Sequence, residues 1–328
     1  MRGARERNEW AMSAFALILA ITAGIALAVQ GAANAALAHH VGRLEAAVIS
    51  FLGGTLVLLG VSACIGELPQ LSSLGEVPLW QCMGGIYGAL LVTAIIYGTP
   101  VLGAALTFAA FMFGQLFFGM MVDGLGLFDV SVRVLTVGRI IGCVLLAVGI
   151  IAVCYGRMLE KAPAPKTPSS KEALVTRSYD VVLLVIMFLA GGCSAAQAPT
   201  NTALALTVGS VNASLTNMLV GLVVTFVAAL VRYRGHLASL RYSFGAWKYL
   251  GGVFGAVYVM LVVFATPSLG VGIVMGALML GQLGGGVVLD AYGLMGCPKQ
   301  TITRWHGMGI VLIALGVIVA ALSNAGLL

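Results

Sequence analysis

The sequence predicts an all-α integral membrane protein with ten transmembrane helices, arranged as two inverted repeats of five helices each. Composition and an internal duplication carry this prediction. Of the 328 residues, 60% are hydrophobic and only 9% are charged, whereas a soluble domain carries about 25% charged residues. Together with a mean hydropathy of +1.07, this composition excludes a water-soluble globular protein, a disordered chain and a nucleic-acid-binding protein.

Long stretches without Asp, Glu, Lys or Arg define the helices in order. A membrane span needs about 20 apolar residues, and residues 77–122, 181–231 and 249–289 are each uncharged over a length that holds two spans. Proline lacks an amide donor and interrupts a helix, so we place breaks at Pro100 and at Pro267, and a polar break at residues 207–210. The predicted helices cover residues 11–35, 44–65, 79–98, 101–122, 136–156, 181–204, 211–231, 246–265, 268–289 and 304–325.

A charged, proline-rich linker over residues 157–180 separates two five-helix repeats, residues 11–156 and 181–325. The linker contains three prolines and five basic residues, a composition that stays solvated and extended. Twelve of the 17 Lys and Arg residues lie in loops on the side of this linker, and cytoplasmic loops are enriched in these residues. We therefore predict a cytoplasmic linker and both termini outside, although the arginines in residues 2–7 oppose this orientation.

The two halves align without a gap at an offset of 167 residues. Rare residue types decide the alignment, because the chain has only four Trp, four Asp and seven Gln. One Trp pair (Trp80 and Trp247), one Asp pair and two Gln pairs nevertheless share this offset. Since each copy has five spans, the second copy enters the membrane in the opposite direction. Inverted repeats are a recurring plan of secondary transporters, whose substrate site lies between the repeats near the membrane midplane.

Uncharged polar side chains inside the predicted helices are the candidate substrate-binding groups. Gln30 and Asn34 share a helix face because they are four residues apart, and the second copy repeats them as Gln197 and Asn201. Such amides either bind a solute or hydrogen-bond a neighbouring helix, and the pattern leaves both roles open. The predicted substrate-binding residues are Gln30, Asn34, Gln115, Gln197, Asn201 and Gln282.

Two aspartates follow the Gln115 and Gln282 pair by eight residues, at predicted helix ends. A carboxylate inside a bilayer costs roughly 2.5–3.5 kcal/mol on insertion scales and is a functional candidate. We predict a gating or proton-coupling role for Asp123 and Asp290, with a structural role at the helix end as the alternative. In an inverted repeat the two carboxylates lie at opposite faces of the membrane, which suits two gates better than one binding site.

Glycines spaced four residues apart recur in both copies. Gly84 and Gly88, and likewise Gly251 and Gly255, are predicted to serve helix packing, because small residues at this spacing let backbones approach closely. The six cysteines show no C-x-x-C spacing, so we predict no disulfide framework, no metal site and no cofactor.

Several spaced motifs together resemble the YdcZ-like family of the drug/metabolite transporter superfamily. They are Gly24-x5-Gln30-x3-Asn34, Trp80-x3-Gly84-Gly85 and Gly114-Gln115-x3-Gly119-x3-Asp123. The resemblance covers both halves, and it implies a bacterial inner-membrane exporter or importer of small molecules built from two fused five-helix units. The second copy departs from the first at Asn217, where the first has Ser50, so we expect the halves to have specialised.

The sequence therefore predicts an inner-membrane secondary transporter that moves a small neutral or zwitterionic solute by alternating access, with proton coupling as an added alternative. A passive channel stays open as a second function. A membrane-embedded lipid-processing enzyme is less favoured, because Asp123 and Asp290 are too isolated to form a catalytic pair. The expected partners are the lipid bilayer and the solute, without nucleic acid; a homodimer is compatible with the sequence but not implied by it.

Overall fold

The computed structural model describes residues 2–133, 136–160, 170–232, 245–296 and 304–324, and all regular structure within them is helical. Short 3-10 helices, Leu79–Met83 and Ala246–Leu250, precede the third and seventh α-helices and contain Trp80 and Trp247. The α-helices of these segments are α1 (Arg2–Val41), α2 (Arg43–Ile65), α3 (Gly84–Leu125), α4 (Val137–Glu160), α5 (Ser170–Val208), α6 (Ser210–Arg232), α7 (Gly251–Leu269), α8 (Val271–Tyr292) and α9 (Arg304–Asn324).

The described helices contain ten apolar segments, at the positions of the ten predicted helices. Among the described residues, seven helical segments are long and apolar enough to cross a membrane, and three shorter apolar segments lie at residues 110–125, 137–152 and 304–319. The prediction of an all-α multi-pass membrane protein is confirmed. Helices α4 and α5 extend into the predicted linker, whose residues 161–169 lie outside the described part of the chain.

Helix α3 contains the third and fourth predicted spans. Its backbone is helical through the break that we placed at Pro100, yet its two ends run past α5 in opposite directions. The first end runs antiparallel to α5 and the second end runs parallel to it, so α3 crosses the membrane twice. The contacts are Gly88 with Gln197, Gly98 with Met187, Gly114 with Phe188 and Phe118 with Gly192.

In the second copy the corresponding break separates α7 from α8, but not where we placed it. Pro267 lies inside α7, and the helix ends instead at Gly270. Gly270 has a φ of 79°, a conformation that glycine adopts without the steric cost of a Cβ. The prediction of a break at Pro267 is therefore wrong by about one turn, because the proline removes a single hydrogen bond of the helix, and the helix continues until Gly270 N–H donates to the Thr266 carbonyl.

Equivalent helices of the two copies pack antiparallel to each other. A two-fold axis that relates antiparallel helices runs perpendicular to them, and for membrane-spanning helices such an axis lies in the membrane plane. The predicted inversion of the repeats is confirmed by this geometry. The contacts that define it are Phe51 with Gly221 and Ser62 with Asn212 between α2 and α6, and Gly149 with Ile313 and Gly316 with Leu146 between α4 and α9.

Glycines make the closest approaches between the copies, and they do so reciprocally. Gly24 in α1 faces the backbone carbonyl of Leu278 in α8, and the equivalent Gly191 in α5 faces the carbonyl of Phe111 in α3. A Cβ at either glycine would overlap the facing oxygen. Small residues at such contacts let transmembrane backbones pack closely, and here they hold each copy against the other.

We expect Gly191→Ala to lower the thermal-unfolding midpoint of the purified protein, because overpacking of this kind costs about 1–3 kcal/mol. Gly60→Ala is the matched control, since an added Cβ at Gly60 meets open space; it should be neutral or stabilise by about 0.5 kcal/mol. Equal effects of the two substitutions would contradict the assignment of Gly191 to a close contact between the copies.

Inversion also predicts which face of the membrane a label reaches. Cys64 is exposed near the end of α2, and Val231, its equivalent near the end of α6, is 76% exposed. The test compares two variants, one whose only cysteine is Cys64 and one whose only cysteine is Val231→Cys. A membrane-impermeant maleimide added to intact cells should label only one of the two variants. Our orientation predicts that this is the Cys64 variant. Labelling of both from the same face would contradict the inverted topology.

Candidate functional site

Most of the predicted amide side chains fall into two clusters that the two-fold axis relates. The α5 cluster consists of Gln197 and Asn201 on α5 with Asn217 on α6. The α1 cluster consists of Gln30 and Asn34 on α1 with Ser50 on α2, at the equivalent positions of the first copy. All six side chains are buried, so each cluster places uncharged polar groups inside the helical bundle.

In the α5 cluster the three amides are joined by hydrogen bonds. Gln197 Nε2 donates to Asn217 Oδ1 at 3.0 Å, and Asn201 Nδ2 donates to the same oxygen at 3.1 Å. Gln197 and Asn201 point the same way because they are four residues apart on one helix face. Asn217 therefore ties α6 to α5, although its own Nδ2 and the Oε1 of Gln197 have no partner.

The α1 cluster lacks this connection. Its third member is Ser50, whose side chain is shorter than that of Asn217. The amide oxygens of Gln30 and Asn34 are buried and have no hydrogen-bond partner. The two clusters thus share a position in the fold and differ in whether their amides are joined by hydrogen bonds; both contain buried amide atoms without a partner.

The predicted packing glycines lie directly against these amides. A Cβ at Gly84 would overlap Asn201 Oδ1, and a Cβ at Gly251 would overlap Asn34 Oδ1. Gly88 and Gly255 face the amides of Gln197 and Gln30 in the same way. The approach of backbone to backbone falls to the neighbouring residues instead: Gly85 faces the Asn217 carbonyl and Gly252 faces the Ser50 carbonyl.

Gln115 and Gln282 lie deeper in the bundle. Gln115 is ten residues from the end of α3, or about 15 Å at 1.5 Å per residue, which is near the middle of a hydrocarbon core about 30 Å thick. Gln115 Nε2 donates to Ser194 Oγ at 2.9 Å, and this hydroxyl lies 3.4 Å from Tyr258 Oη. Neither the oxygen nor the nitrogen of the buried Gln282 amide has a partner.

Asp123 lies away from the amides and caps a helix of the other copy. Its carboxylate accepts the backbone N–H groups of Val271 at 2.9 Å and of Gly272 at 2.8 Å, at the first turn of α8. These donors have no partner within their own helix, and a negative charge is favourable at a helix N-terminus. Asp123 therefore joins the end of α3 to the start of α8. The side chain of Asp290 lies outside the described residues.

An arginine strengthens the same junction. Arg133 Nη1 donates to the carbonyl of Leu269, at the end of α7, at 2.9 Å. Burial lowers the pKa of the Arg133 guanidinium, and the nearby Asp123 carboxylate opposes this change; an arginine stays charged in either case. A cavity of about 30 Å³ beside these groups has room for about one water molecule.

Sequence reasoning did not identify three residues of this interior. Ser194 and Tyr258 join Gln115 in one hydrogen-bonded group, and Asn217 is the shared acceptor of the α5 cluster. The sequence offered a signal for Asn217 alone: it differs from Ser50, the residue at the equivalent position of the first copy. Among the described residues, no group of three His, Cys, Asp or Glu side chains is placed to hold a metal ion.

A helical bundle that crosses the membrane many times, with two inverted copies enclosing buried uncharged amides, has the architecture of a membrane transporter. Residues 15–152 and 182–319 each match the family model described as "Putative inner membrane exporter, YdcZ". The chain belongs to this family, as two family units in tandem. It is accordingly a multi-pass protein of the inner membrane.

A solved structure is similar to this chain in its fold. One solved structure, described as "Crystal structure of protein", superposes with a TM-score of 0.66 at 14% sequence identity, over 96% of this chain and 99% of that chain. At this identity the likeness shows the architecture alone. No curated protein matches the chain.

We expect Asp123→Asn to destabilise the protein by about 1–3 kcal/mol, because a hydrogen bond to a charged group is worth roughly that much and the new amide nitrogen would face an N–H donor. Thermal unfolding of the purified protein measures the effect. Asp129→Asn is the matched control: Asp129 is exposed and has a φ of 59°, which asparagine also adopts. Equal midpoints for the two variants would contradict the capping role.

Proposed function

We propose that this protein is a secondary transporter that carries a small neutral or zwitterionic solute across the inner membrane by alternating access. The observation that carries the proposal is the reciprocal packing of the two inverted copies around buried amides. Inverted repeats can exchange their local conformations, and the exchange turns a passage open to one face into a passage open to the other.

Contacts on one face of the bundle support a closed side in this conformation. The start of α8, the end of α3 and the end of α5 lie on the face that carries both termini. Here Asp123 caps α8, and Ser62 Oγ donates to Asn212 Oδ1 at 2.6 Å. Asn212 Nδ2 also donates to the Glu67 carbonyl at 2.7 Å. In the proposed cycle these bonds between the copies close the terminal face, and they break when that face opens.

The side chains of the two amide clusters favour a solute without net charge. Gln, Asn and Ser offer hydrogen bonds and no countercharge, and an unpaired ion is costly in a medium of low dielectric constant. Amide groups can serve both ends of a zwitterion, because each carries a donor and an acceptor. Recognition by amides also fits a transporter better than an enzyme, since it supplies neither a nucleophile nor a catalytic acid.

We propose that the Asp123 carboxylate, which caps α8, couples transport to protons. The ionised carboxylate accepts two backbone hydrogen bonds, whereas a protonated carboxyl is a weaker acceptor and carries a donor of its own. Protonation would therefore loosen the junction between α3 and α8 and favour opening of the terminal face. For Asp290 the gating or proton-coupling role at the opposite face rests on the sequence alone.

A carrier and a channel differ in exchange. We expect proteoliposomes that contain the protein and an unlabelled metabolite mixture to take up the labelled mixture several-fold faster than proteoliposomes that contain the protein and buffer. The reason is that the binding site of a carrier returns to the outer face faster when it holds a solute than when it is empty. Acceleration by an inward proton gradient would support coupling. Gln30→Ala should reduce exchange, and Gln70→Ala, which alters an exposed glutamine, is its control. Uptake that is unaffected by internal solute would identify a channel and overturn the carrier.

A further inference from the structure

The start of α9 carries a cluster of one cation and two aromatic rings on the outer surface of the bundle. We propose that this cluster, which consists of Arg304, Trp305 and Tyr155, binds the phosphate of an anionic phospholipid whose acyl chain lies along α9. The cluster lies on the face opposite the terminal face, where α4 ends and α9 begins, and we call this face the linker face. The inference goes beyond the proposed transport function and does not depend on it.

The three side chains of the cluster are in contact. The rings of Tyr155, near the end of α4, and Trp305, the second residue of α9, have centroids 5.1 Å apart and meet edge to face at 86°. The guanidinium carbon of Arg304 lies 5.6 Å from the centroid of the Trp305 ring, within the range of a cation–π interaction. Arg304 and Tyr155 are both exposed. The indole therefore holds a cation and a phenol together at the surface.

These groups match the headgroup of a phospholipid. A guanidinium binds a phosphate through two parallel N–H donors, and a phenol hydroxyl and an indole N–H are further donors. Tryptophan and tyrosine are enriched at the level of the headgroups. Choline and ethanolamine headgroups carry a positive charge that offsets the phosphate, and Arg304 repels that charge. The cluster therefore favours a headgroup with a net negative charge.

A stripe of apolar side chains on α9 leads from Arg304 into the membrane. Spacings of four, three and four residues place its members on one helix face. The stripe is about 16 Å long at 1.5 Å per residue, close to the thickness of one leaflet, which is half of a hydrocarbon core about 30 Å thick. An acyl chain that is attached to the bound phosphate can thus lie along it. After Arg304, the exposed members are Met308, Val311 and Leu315.

The two-fold axis does not repeat the cluster on the terminal face. Val137 and Gly138 occupy the positions that are equivalent to Arg304 and Trp305, and Leu322 occupies the position that is equivalent to Tyr155. The first copy thus has neither the cation nor the rings. A general requirement of the fold would apply to both copies, so this difference indicates a role that belongs to one face of the membrane.

Two further cation–π pairs in the described part of the chain lie on the same face. The guanidinium of Arg43 is 5.3 Å from the ring of Tyr97, and Lys248 Nζ is 5.8 Å from the ring of Trp247. The terminal face has Ser210 and Gln81 at the positions equivalent to the two cations. Cations beside a membrane attract anionic lipids, and the cytoplasmic leaflet carries a negative surface potential. The surroundings of the Arg304 cluster therefore favour the same lipid class.

The charge of Arg304 also distinguishes a lipid from a second copy of the chain on this surface. Two copies that packed through α9 about an axis along the membrane normal would place both Arg304 guanidiniums at the same depth and close together. Burial of two like charges in one contact is costly. A phosphate neutralises the guanidinium instead, so the observations favour the lipid.

Binding is tested with two lipids of identical acyl chains, anionic phosphatidylglycerol and zwitterionic phosphatidylcholine, added to the purified protein in detergent. We expect phosphatidylglycerol to raise the thermal-unfolding midpoint at concentrations about fivefold below those of phosphatidylcholine, the worth of one arginine near an anionic membrane surface. Arg304→Gln should remove this preference. Arg232→Gln is the matched control, because Arg232 is exposed at the end of α6 on the same face, and it should retain the preference.

Equal stabilisation of the wild-type protein by the two lipids would overturn the inference. An equal loss of preference in the two arginine variants would also overturn it, because this result would show diffuse attraction by the whole face and no site at Arg304. A third experiment tests the occupant: in a chain whose only cysteine is Val311→Cys, oxidation in membranes should give no cross-link between chains. A cross-link would show that a second copy covers α9 and would contradict the lipid site. Proteoliposome exchange measures the transport function separately, so either proposal can fail alone.

Discussion

The constraint on which this structure depends is the lack of water in the hydrocarbon core, which obliges polar groups to find partners inside the protein. Backbone groups meet it by forming helices over all of the described spans. Where a helix starts inside the bundle, as α8 does at Val271, a carboxylate from the other copy supplies the missing acceptor. The amide nitrogens of Gln197 and Asn201 meet the same constraint through a shared acceptor, Asn217. The polar contacts of the interior therefore also determine which helices pack together.

Duplication explains why those contacts occur in pairs, and divergence explains why they differ. Gly24 and Gly191 make the same close contact in reciprocal positions, because a two-fold axis applies each contact twice. Substitutions at a few positions, among them Asn217 for Ser50, join the amides of one cluster by hydrogen bonds, while buried amide atoms without a partner remain in both.

Asp123 shows how a charged group is accommodated in such a bundle. Its carboxylate lies at the terminal face, where the free N–H groups and the positive end of the α8 dipole stabilise it, and Arg133 secures the adjoining turn at Leu269. The sequence indicated that Asp123 ends a helix and could not show which helix it caps. The partner residues follow it by 148 and 149 positions, and no local pattern records a contact over that distance.

The sequence by itself determined the membrane class, the number of spans, the duplication and its inversion, because hydropathy and the 167-residue offset are properties of the chain read in one dimension. It also identified the amides, since polar residues are rare in apolar helices. Only the tertiary structure decided which amides are satisfied, that Gly84 and Gly251 lie against side chains, and that Gly270 rather than Pro267 ends α7. These features depend on neighbours that folding brings together from distant parts of the chain, and a buried oxygen is unpartnered only with respect to those neighbours.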